Sequence, residues 1–135
     1  MTFEDLECWK KARELTREIY RLTRKDNICK DFGLCSQIQR AGVSAMSNIA
    51  EGFERQHLPE KLQFYNMAHA STAEVRSLTY VIEDNYPAVS SDALRLRKES
   101  FETGKIISGL IRSTQCRRGR ILTFISSLLH FVLPA

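Results

Sequence analysis

The sequence predicts an all-α protein, an antiparallel up-down-up-down four-helix bundle with a short apolar C-terminal extension. Three observations predict it. Four amphipathic segments of about 20 residues follow one another along the chain. Short polar stretches connect them, and no segment alternates apolar and polar residues as a strand would. The 135 residues suit one domain, with 43% hydrophobic and 27% charged residues, as in an ordinary globular protein. The bundle takes residues 1–116, and residues 117–135 form a basic and apolar extension.

In the first segment Cys8, Ala12, Leu15, Ile19 and Leu22 step by four and three, which places them on one helix face. Thr2 and Asp5 stand as a capping box before it. The stretch "KDNICKDFG", residues 25–33, breaks the pattern and reads as a loop. The second helix runs from about Leu34 to Arg55 along a seam of Leu34, Ile38, Ala41, Ala45, Asn48 and Gly52. Gly42, Met46, Ile49 and Phe53 widen that face. Ala41, Gly42, Ala45 and Gly52 are small enough to let neighbouring helices approach closely.

"RQHLPE" ends the second helix, and Pro59 suits the first turn of the third. The third seam is Phe64, Ala68, Ser71, Val75, Leu78 and Ile82. "EDNYPAVSSD" reads as a loop with Ser91 or Asp92 as the N-cap of a fourth helix over about residues 92–116. That helix buries Leu96, Gly104, Ile107, Leu110 and Ile111. After it, the run from Ile121 to Leu133 is apolar almost all round and too short to span a bilayer. It is expected first to pack on the bundle or on a neighbouring subunit. Interfacial membrane contact helped by Arg117, Arg118 and Arg120, or a poorly ordered tail, are the other readings.

Catalytic constellations are sparse. Glu54-x-x-His57 has the spacing of carboxylate di-iron bundles, but such a site needs the motif twice, plus a glutamate from each of two other helices. His69 and His130 have no glutamate three residues before them. The four cysteines, Cys8, Cys29, Cys35 and Cys116, form no C-x-x-C pair. No G-x-S-x-G or phosphate-cradling glycine loop is present. These readings point to a non-enzymatic protein with no metal and no cofactor. The free thiols and the acidic opening "MTFEDLECW" point to the cytoplasm.

Charge is unevenly distributed. Residues 1–90 hold 12 basic and 13 acidic residues, whereas residues 91–135 hold 8 and 3. Lys98, Lys105 and Arg112 recur every seven residues on the fourth helix, opposite Ile107. Lys10, Arg17 and Arg24 do so on the first, with Arg21 beside them. Such stripes suit either a solvated bundle face or a phosphate-binding surface for RNA or DNA. Aromatic residues are not interleaved with these cations, so base stacking is not expected. The alternative is a protein-interaction scaffold whose stripes serve solubility.

Three stretches carry a family resemblance: "FEDLECWKKARELTREIYRLTR", "GLCSQIQRAGVSAMSNIAEGFER" and "AEVRSL". Over roughly residues 3–115 they resemble the bacterial four-helix bundle family encoded in ribosomal RNA intervening sequences. The resemblance implies a small cytoplasmic homopentamer with no established enzymatic activity. The chain is also similar, more distantly, to the accessory protein of diversity-generating retroelements, a basic pentamer that engages a reverse transcriptase and nucleic acid. Met46 stands where the family usually has proline, and Asp26 and Asn27 replace an aromatic–proline pair. The tail after about Arg117 has no counterpart in the family. Asn48, Glu51, Gly52 and Arg55 form the structural motif. Glu51 and Arg55 are spaced for a helical ion pair, and Asn48 is placed to fix register between helices.

Overall fold

The computed structural model describes the backbone of residues 1–132 and the side chains of residues 1–129. The part of the tail beyond, including the His130 side chain and Leu133, lies outside the described residues. Four helices carry the fold: α1 (Glu7–Leu22), α2 (Phe32–Glu54), α3 (Leu58–Asn85) and α4 (Ser90–Val132). Each packs on the next, and α1 also packs on α4. Among the described residues there is no strand, so the chain is all-α.

The heptad positions of α1 are buried as their spacing predicts: Cys8, Ala12, Leu15, Ile19 and Leu22 all face inward. The Thr2–Asp5 box closes a short 3-10 turn (Phe3–Asp5) that precedes α1, where the Thr2 amide donates to Asp5 Oδ2 at 2.7 Å. The expected loop at 25–33 is mostly a second 3-10 turn (Asp26–Lys30) that buries Ile28. Asp31 then caps α2, its Oδ1 accepting from the Leu34 amide at 3.1 Å, while Tyr86 donates to its Oδ2 at 2.6 Å. Here α2 starts two residues before Leu34, because that cap satisfies orphan amides of the first turn. The helix continues unbroken through Met46.

Two expectations about α4 need correction. Its start is Ser90, after a 3-10 turn at Pro87–Val89, so Ser91 and Asp92 lie inside the first turn and neither is the N-cap. Asp92 instead binds Lys25 at 3.1 Å and Arg95 at 2.9 Å, tying the connection after α1 to α4. The second correction concerns the tail, which continues α4 as one helix of 43 residues, about 65 Å long. No proline or cap interrupts it. The last buried residue among those described is Thr114. From Gln115 to Leu129 every side chain is exposed, so this described part of the tail does not pack on its own bundle.

The core has two clusters. One joins Leu15, Ile19 and Leu22 to Ile38, Val75, Ile82 and Leu96; the other joins Cys8 and Ala12 to Ala45, Ile49, Ala68 and Ile107. Glycines set how closely the helices pass. At Gly42 an added Cβ would stand 2.6 Å from Ile19 Cδ1 on α1. At Gly52 it would stand 2.6 and 2.8 Å from the Tyr65 ring and 3.0 Å from Phe64 Cβ on α3.

Two acids are held in their neutral forms at this end of the core. Burial raises the Cys8 thiol from 9.0 to about 11 and the Tyr65 phenol from 10.0 to about 12. The folded chain therefore keeps protons that the unfolded chain releases in alkali, and stability falls as pH rises. The stabilisation is complete below about pH 9 and is lost progressively toward about pH 12. Thermal melts across that range should show the loss, and Cys8→Ala should remove its lower part. A melting temperature that stays flat to the alkaline limit would contradict it.

Candidate nucleic-acid interface

The sequence-predicted cations divide between two helices. On α1, Lys10, Arg17 and Arg21 point outward, away from the buried heptad face, and Arg24, in the turn just after α1, is exposed as well. Lys10 pairs with Glu7 at 2.9 Å, and Arg21 pairs with Glu18. On α4, Lys98, Lys105 and Arg112 are likewise exposed. The two stripes do not merge. Between them runs a groove lined by Lys11, Glu14, Arg95, Lys98, Glu99 and Glu102, whose charges are of both signs. Burial and the nearby Glu18 raise the Glu99 carboxyl above its usual range. Lys98 therefore stands among carboxylates, which compete with any phosphate for it.

The face between α3 and α4 is different. A cleft of about 320 Å³ is lined by His69, Thr72, Arg76, Phe101, Gly104, Lys105 and Ser108, among others, with no carboxylate among its lining residues. The Arg76 guanidinium lies 5.3 Å from the Phe101 ring centroid, and Lys105 Nζ lies 5.1 Å from it on the same helix as Phe101. One turn further along, Arg97 of α4 covers Tyr80 of α3 at 3.5 Å, and its other contacts are Thr79 Oγ1 at 3.0 Å and Glu83. Each helix thus lends a cation to an aromatic ring of the other. Phe101 and Tyr80 are about half exposed.

Of the stripe cations, Lys105 does have an aromatic neighbour, and α3–α4 packing adds cation–ring pairs outside the stripes. The reason is tertiary: Arg76 and Phe101 are far apart in sequence and meet only because α3 and α4 pack side by side. Reading one helix at a time missed His69, Arg76, Tyr80, Arg97 and Phe101. One local signal was available, since Phe101 and Lys105 are four residues apart on one helix. Gly104 opens the cleft floor, where a Cβ would stand 3.0 Å from Thr72 Oγ1. Lys105 is shared with Glu102 at 2.9 Å, a surface pair that holds it only weakly.

The motif residues lie at the other end, around the α2–α3 connection. Asn48 donates to Ser44 O at 2.9 Å and Ser44 Oγ at 3.0 Å, and Ser44 Oγ meets Ser71 Oγ of α3 at 2.8 Å. The link between helices therefore runs through Ser44, with Asn48 bracing it from its own helix. Among the described residues no Glu51–Arg55 ion pair forms. Arg55 is the C-cap with extended backbone, so its side chain leaves the helical row above Glu51. It lies over the Phe64 ring at 4.7 Å instead. Lys61 of α3 donates to the Gly52 and Phe53 carbonyls and so closes the last turn of α2. Glu54 and His57 are both exposed, at the end of α2 and the start of α3.

Arg117, Arg118 and Arg120 are exposed on the extension of α4. Arg117 is near enough to Lys61 to help lower its pKa, although burial is the larger cause.

Fold and surface together define a small all-α protein of four helices whose α3–α4 cleft is cationic and aromatic. The chain belongs to the family described as 23S rRNA-intervening sequence protein, whose model it matches over residues 4–109. No curated protein matches it. The extension of α4 lies beyond the matched residues.

Proposed function

We propose that this chain is a non-enzymatic, homo-oligomeric helical protein that binds RNA through the α3–α4 face. The observation that carries the reading is the cleft where Arg76 and Lys105 flank a half-exposed Phe101 and no carboxylate lines the walls. Guanidinium and ammonium groups neutralise phosphates, and an exposed ring offers one base a stacking surface. Membership in a family named for a ribosomal RNA intervening sequence favours RNA over other polyanions. Arg112, about two turns beyond Lys105 on α4, extends the positive surface, and Lys98 contributes little because of its acidic neighbours.

Fluorescence anisotropy of a labelled single-stranded RNA across a salt series tests this. Affinity should fall linearly with salt on logarithmic axes, and Arg76→Ala with Lys105→Ala should reduce the slope by about 1.4. Phe101→Ala should instead weaken binding by about tenfold or more at every salt concentration while leaving the slope in place. Absence of binding at low ionic strength would sink the reading, as would loss confined to the α1 stripe. Assembly is tested separately by light scattering, where the resemblance implies a pentamer and a monomeric mass would refute the homo-oligomer.

A further inference from the structure

The extension of α4 presents an apolar face that no other described residue covers. Ile121, Leu122, Phe124, Ile125, Leu128 and Leu129 are each between 47% and 67% exposed. At 3.6 residues per turn, the first two share one side of the helix with Ile125, Leu128 and Leu129, and Phe124 borders it. Thr123, Ser126 and Ser127 occupy the other side. Over residues 121–129 the extension is therefore amphipathic. Ile107, which faces the core, and Ile125 are eighteen residues or five whole turns apart, so the core-facing stripe of α4 simply continues past the end of the bundle.

Charge decides what covers this face. From residue 103 to residue 135 the chain has no Asp or Glu and five basic residues, three of which, Arg117, Arg118 and Arg120, fall within one turn at the base of the apolar face. A second copy laid along the extension would bring three more arginines and no carboxylate of its own extension to answer them. A nucleic acid would match the arginines but would leave the apolar face in water. An anionic lipid surface satisfies both, since phosphate headgroups meet the arginines while the apolar side chains enter the acyl boundary. Among the described residues no helix is long and apolar enough to cross a membrane, so contact along the surface is the geometry available.

We propose that residues 117–129 form an interfacial helix that docks this protein on anionic lipid membranes. This does not rest on the RNA reading, which uses the cleft between α3 and α4. Flotation of the full chain with vesicles of phosphatidylcholine, alone or mixed with phosphatidylglycerol, tests it, with light scattering run in parallel without lipid. The chain should float with the phosphatidylglycerol vesicles and bind plain phosphatidylcholine about a hundredfold less tightly. Ile125→Asp should reduce flotation at least about tenfold without altering the thermal melt, because that side chain touches no part of the bundle core. Combined Arg117→Gln, Arg118→Gln and Arg120→Gln should also release the protein, and added salt should do the same. Flotation untouched by Ile125→Asp would mean charge attraction alone and would overturn the proposal. So would failure to float at low salt. Assembly in solution that dissolves with Ile125→Asp, in the absence of flotation, would assign the face to a second copy instead.

Discussion

Replacing Gly52 with leucine is expected to destabilise the fold by about 1–3 kcal/mol or more, measured as a shift in urea midpoint at constant slope. Glycine inside a helix ordinarily costs about 0.5–1 kcal/mol relative to alanine, so removing it should help unless space is lacking. At Gly52 space is lacking. The first atom of any side chain would stand 2.6 Å from a carbon of the Tyr65 ring, which is itself only 3% exposed and has no room to swing away. Gly42 should be milder for the same change, because the atom it meets is the terminal methyl of Ile19. Gly109 supplies the opposite sign. Its nearest neighbour is Arg112 Nη2 at 3.9 Å, so Gly109→Ala should stabilise by about 0.5–1 kcal/mol. A Gly52→Leu variant as stable as the parent would refute the close-approach account.

Truncating Ile49 to alanine is expected to cost about 2–5 kcal/mol in the same measurement. Ile49 is fully buried in the cluster with Cys8, Ala12, Ala45, Ala68 and Ile107, whose small members leave little bulk to collapse into the cavity. Ile125→Ala removes the same atoms from an exposed position and should change stability by less than about 0.5 kcal/mol. Equal losses from the two would mean that the extension packs as firmly as the core.

The fold class was legible because heptad spacing in α1, α2 and α3 maps directly onto burial. Cys8 to Leu22, Leu34 to Ala45 and Ala68 to Ile82 face inward at the steps their spacing dictates. Element ends were less legible, since they depend on caps and turns. Asp31 begins α2 early, and the 3-10 turn at Pro87–Val89 shortens the loop before α4. The α1 and α4 stripes were found correctly as exposed, but their surroundings were not readable. Lys98 lies among carboxylates that belong partly to α1, and Lys105 lies beside an aromatic ring crossed by an arginine of α3.

The sequence by itself determined the helices, their apolar faces and the family signature, because helical periodicity and side-chain size are local properties of the chain. The tertiary structure alone decided three things. It showed which small residues are in tight contact, since Gly52 gains its meaning only from the Tyr65 ring on another helix. It brought Arg76 and Phe101 together across two helices. It also left the described apolar side chains of the α4 extension exposed, past the last buried residue, Thr114. Contacts between helices depend on register and closeness of approach, and no single segment encodes either.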